Sequence, residues 1–127
     1  SLSASPLLQT SAEISVFSDL TRGSYVEGLA GLLAYEAMLP PVSESKMDGL
    51  RKFYNLSDAK TLGFFTVHSV ADVKHSNAWK QLLAEAVHTK ADEAKAVQAV
   101  NRAIDTMWGF LDGVLEHYVP AEVRAGC

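Results

Sequence analysis

The chain has 127 residues, 48% of them hydrophobic and 20% charged, with a formal net charge of −4. This fits one folded domain with its own core and excludes an intrinsically disordered segment. There is no basic block to attract nucleic acid, and the longest apolar run, "LAGLLAYEAMLPP", carries Glu36 and ends in prolines, too short to span a membrane.

The opening "SLSASP" reads as a leader or a cut end rather than an element. The spacing of Ile14, Val16, Phe17 and Leu20 predicts a first helix over about 10–21, with Gly23 as its stop. A second helix is expected from Ser24, as N-cap, to Leu39, ended by Pro40-Pro41. A third runs over about Ser43 to Tyr54, with Met47, Leu50 and Tyr54 on one side and Asn55 as a left-handed C-cap. The fourth follows Ser57, read as its cap, and extends to about His88. The fifth covers about Ala91 to Tyr118, with Val97, Val100, Ile104, Met107, Leu111, Val114 and Tyr118 as an inward seam, and Pro120 closes it. Strand-like alternation is absent from the sequence, and the links are short, so an all-α, up-down bundle of antiparallel neighbours is expected as one domain over 1–127. Cys127 alone supports neither a disulfide framework nor a tetrathiolate zinc site. With no visible secretory signal, a cytoplasmic protein is the expectation.

The fourth helix carries "HSVADVKH". His68, Asp72 and His75 are four and three residues apart, so they fall within roughly 60° of one another on a helix. Their stripe continues through Phe65 on one side and Trp79, Leu82 and Ala86 on the other, so three ionisable groups sit on the apolar face. Burying them is costly unless they are partnered. Either a metal ion or a hydrogen-bonded polar cluster meets that need. Glu36 shares the face of Leu29, Leu32 and Leu33 on the second helix and also points inward, whereas Glu27 lies roughly opposite and is expected in solvent. Inward carboxylates and histidines from several helices are how four-helix di-iron proteins build their sites, and two His with two carboxylates suit iron or manganese. Trp79, Trp108 and the Phe64-Phe65 pair read as core, and Lys46 as a surface lysine with a buried stem. His88 and His117 lie near helix ends and take no role.

"YEAMLPPVSESKMDGLRKFY" followed by "FFTVHSVADVKHSNAWKQLL" resembles the C-terminal half of the haem-oxygenase-like di-metal oxidases, over about residues 24 to 86. That group includes the chlamydial death-domain-associating protein and its bacterial relatives, and is related in fold to pyrroloquinoline-quinone synthase and thiaminase II. The resemblance makes Glu36, His68, Asp72 and His75 metal ligands. It gives Lys46 and Tyr35 a part near the site: in relatives that make para-aminobenzoate, a lysine at the position of Lys46 is implicated and a tyrosine of the N-terminal half is consumed. It implies a non-haem di-iron or Fe/Mn centre using O2 on a small molecule or on the protein's own side chain, with para-aminobenzoate formation the most specific form. A protein-interaction module of the death-domain-associating type, or a cofactor-free enzyme like pyrroloquinoline-quinone synthase, are the alternatives. Thiaminase II chemistry is disfavoured because no internal cysteine offers a nucleophile. The family domain has about seven helices and takes a further Glu and His from an earlier one. This chain offers about five helices, with Glu13 but no histidine before His68, so the resemblance implies the C-terminal part of a longer domain. The apolar face left by the missing helices would favour a homodimer or another association.

Overall fold

The computed structural model describes residues 5–124; the first four residues of the expected leader and Cys127 lie outside them. Among the described residues there are helices and no strands: α1 (Leu8–Arg22), α2 (Tyr25–Glu36), α3 (Leu39–Tyr54), α4 (Ala59–Ala86), α5 (Lys90–Tyr118) and the short α6 (Ala121–Arg124). No described helix is long and apolar enough to cross a membrane.

Local chemistry sets the boundaries. Ser24 caps α2 as expected, in a capping box: its hydroxyl accepts from the Glu27 N–H, and Glu27 accepts from the Ser24 N–H at 2.9 Å and from its hydroxyl at 2.6 Å. Glu27 is thus tied to the cap and half-buried rather than free in solvent. These hydrogen bonds, first the one from the Ser24 hydroxyl, hold its carboxyl below the ordinary value of 4.5. Ser24→Ala is expected to cost about 1 kcal/mol of stability in chemical denaturation. Because the folded carboxyl titrates low, the Glu27 contribution is complete above its ordinary value and lost as the pH falls through the lowered one. The gap in Tm between the parent and Glu27→Ala should therefore narrow on acidification.

Pro40-Pro41 do not stop α2, which already ends at Glu36; they lie in the first turn of α3. A proline is tolerated there because first-turn N–H groups have no helical acceptor. The expected start at Ser43 accordingly moves back to Leu39, and Ser43 is buried at 1% exposure. Asn55 adopts the left-handed cap, φ 54° and ψ 34°. Asp58 rather than Ser57 caps α4, its carboxylate accepting from the Thr61 N–H at 3.0 Å. Thr89 and Asp92 form a second capping box at the start of α5.

The short α2 is the hub, packed against α5 on one side and α4 on the other; α3 packs on α4, and α1 on α5 and α2. The core joins Leu20, Val26, Ala30 and Ala34 to Ala96, Ala99 and Ala103. Ala30 and Ala103 are fully buried, and small side chains at this crossing let the two helices approach closely. Gly31 serves the same end against α1, since a Cβ there would meet Leu20 Cδ1 at 3.1 Å. The expected α5 seam is displaced as a result. The alanine face does the packing, with Val100 and Ile104 at its edge, while Val97, Leu111 and Tyr118 are exposed. Phe64 and Trp108, read as core, are also exposed. At the end of α4, Leu83, Ala86 and Val87 pack against this core.

Candidate metal centre

α2 and α4 supply the site. Glu36 is the last residue of α2, and Asp72 and His75 lie one turn apart in the middle of α4. His75 Nδ1 stands 3.2 Å from Asp72 Oδ1 and 3.4 Å from Glu36 Oε2. One ligand atom from each of the three residues lies within 4.8 Å of the other two. Asp72 is 2% exposed, whereas the His75 side chain opens the cluster to solvent at 54%.

Two features test whether a metal fits here. Donor atoms about 2.0–2.2 Å from one ion lie roughly 3 Å apart at tetrahedral or octahedral angles, close to the spacings around His75. The buried Asp72 Oδ2 has no hydrogen-bond partner. A buried carboxylate with a bare oxygen is unfavourable, and a cation removes that cost. Two carboxylates and an imidazole form a donor set suited to iron, manganese or zinc. The residues fit.

His68 lies outside this three-residue group. Its Nδ1 is 2.7 Å from the Phe64 carbonyl, and its ring stacks on Phe64 with centroids 4.0 Å apart. A carbonyl can only accept, so Nδ1 carries a proton, and the neutral tautomer consistent with this contact has its lone pair on Nε2. A histidine held in this way by a backbone carbonyl has the tautomer of an Nε2 metal ligand. Tyr35 turns to the other side of α2. Its ring meets Phe17 edge-on at 5.3 Å and lines a cavity of about 340 Å³ with Met38, Trp108 and Glu13. Burial raises the pKa of Glu13, whose Oε2 is without a hydrogen-bond partner. Lys46 is exposed on α3; its neighbour Met47 faces α4, with Sδ 3.5 Å from the Thr66 hydroxyl.

A family model described as iron-containing redox enzymes matches residues 2–108. The chain belongs to this family. Its all-α architecture is haem-oxygenase-like, as the resemblance implied. The chain is 36% identical over 116 residues to a 4-aminobenzoate synthase of Nitrosomonas europaea, covering 91% of this chain and 47% of that protein. It is 32% identical over 97 residues to a 4-aminobenzoate synthase of Chlamydia pneumoniae, covering 76% of this chain and 42% of that one. A third, from Chlamydia trachomatis serovar D, is 31% identical over 96 residues, covering 76% and 41%. The chain thus spans less than half the length of each of these relatives.

Sequence reasoning missed one contact at the centre. Trp79, read as core packing, donates its indole N–H to Glu36 Oε2 at 2.8 Å. The signal was present, because Trp79 is four residues beyond His75 on the same stripe.

Proposed function

We propose that this chain supplies ligands to a non-haem iron centre of an O2-activating oxidase of the 4-aminobenzoate synthase kind. The observation that carries the reading is the convergence of Glu36, Asp72 and His75 from two helices around a buried, unpartnered carboxylate oxygen. When bound, the iron, as a di-iron or an Fe/Mn pair, supplies the redox chemistry with dioxygen as co-substrate. Glu36 and Asp72 bring negative charge to offset that of the cation, and His75 offers an imidazole at the open edge of the cluster. In this reading a rotation of the His68 side chain away from the Phe64 carbonyl brings the fourth ligand to the cluster. Lys46 and Tyr35 are assigned to the substrate side, Lys46 as an exposed cation on α3 and Tyr35 as a wall of the apolar cavity. The substrate is a small organic molecule or a side chain of the protein itself, and para-aminobenzoate formation is the specific activity proposed.

Anaerobic Fe(II) titration of the parent and of His68→Ala tests the assignment. Tight binding by the parent, weakened by at least about 10-fold in the variant, is the expected result, since even residues that only support a ligand have effects of this size. Equal affinity would remove His68 from the ligand set. A parent that binds no metal would leave the cofactor-free reading in its place.

A further inference from the structure

The Glu36 carboxylate sits where a helix does least to hold it. Glu36 closes α2, and the C-terminal end of a helix carries partial negative charge from its free carbonyls, which repels a carboxylate. The side chain is also long and loses rotamer freedom when fixed. In spite of this it lies only 17% exposed, turned toward Asp72 and His75. Besides His75 Nδ1 at 3.4 Å, the group that meets it is the indole of Trp79, whose Nε1 is 2.8 Å from Oε2. Indole N–H is a donor only, so the sense of this hydrogen bond is unambiguous, and an ionised acceptor makes it one of the stronger kind. The ring is half-buried and borders the same groove as Gly28, Leu29 and Leu32 of α2, which sets the direction of the N–H.

We propose that Trp79 is a positioning residue for the metal centre: its N–H holds the Glu36 carboxylate beside Asp72 and His75, so that the three ligands converge before the ion arrives. This rests on the reading of the cluster as a metal site. A preorganised carboxylate spares the ion the cost of ordering Glu36, so loss of the N–H weakens binding without touching a ligand.

The test compares Mn(II) affinity, measured by competition with a chelating dye, in the full chain and two variants. Trp79→Phe removes the N–H and part of the ring. Replacement of Trp79 by 3-benzothienylalanine changes the N–H to sulfur and keeps the bicyclic shape, so it decides the matter even if the Phe variant folds poorly. We expect the benzothienyl variant to remain folded, with the metal-free Tm lowered by the lost hydrogen bond, and to bind Mn(II) about 10- to 100-fold more weakly than the parent. Parent-like affinity in that variant overturns the positioning role and leaves the metal reading standing. Absence of Mn(II) binding in the parent overturns both. An independent readout is the indole N–H resonance. The chain has two tryptophans, so Trp108→Phe assigns the pair. The Trp79 signal should move on addition of Zn(II) and in Glu36→Gln; a signal indifferent to both contradicts the proposal.

Discussion

Asp72→Asn is expected to lose tight binding of Fe(II) or Mn(II), by more than about 100-fold, while the metal-free protein keeps or gains stability. The two effects have opposite signs because the same carboxylate is an asset to a cation and a burden without one. In the metal-free chain Asp72 is 2% exposed, and although Oδ1 meets His75 Nδ1, Oδ2 is buried without a partner, which is unfavourable. An amide of the same shape removes the charge and most of that cost. Asp72 is the most deeply buried member of the cluster, and under the proposed reading the substitution removes a ligand rather than a support. At free metal of about 100 times Kd, binding stabilises the parent by roughly 2.7 kcal/mol, which appears as a rise in Tm. The variant should show no such rise at the same concentration. Titration and thermal melts with and without metal check both halves; an unchanged affinity would falsify the assignment of Asp72 as a ligand.

Leu20→Ala is expected to cost about 2–5 kcal/mol. Leu20 is 3% exposed and packs in the cluster of Val26, Ala30, Ala34, Ala96, Ala99 and Ala103, whose small side chains cannot grow to fill the space it leaves. Leu111→Ala is the contrasting case. Leu111 belongs to the seam that periodicity predicts on α5, yet it is 45% exposed, and its truncation should stay within about 0.5 kcal/mol. Urea unfolding of the two variants ranks them. Equal losses would mean that α5 packs through its larger residues after all.

The helices were legible in the sequence because each carries its own punctuation. Ser24, Asn55 and the spacing of apolar residues act within a turn or two of where they stand. The convergence of three residues in the candidate site was legible for a related reason: Asp72 and His75 are brought together by helical pitch alone, and Glu36 was marked by an apolar neighbourhood. What depended on how one helix meets another was not legible. Large residues on α5 suggested a seam, but the closest approach to α2 is made by alanines, which a pattern of hydrophobicity does not distinguish from solvent-facing helix formers. Pro40 read as a terminator because the turn at residues 37–38 leaves no strong signal of its own. The indole N–H of Trp79 finds Glu36 across 43 residues of sequence, through the docking of α2 on α4. The side-chain rotation that sends His68 to the Phe64 carbonyl is likewise invisible to spacing.

Under the proposed metal reading, the two helices that supply Glu36, Asp72 and His75 make coordination a gauge of assembly. Any chain that has wound α4 holds Asp72 and His75 in register, but Glu36 joins them only when α2 is seated on α4. Affinity for an ion such as Co(II), followed through a urea series, therefore reports the seating of one helix on another, whereas circular dichroism in the same samples reports only how much helix remains. The separation between those two curves would measure how far this bundle comes apart before its helices melt.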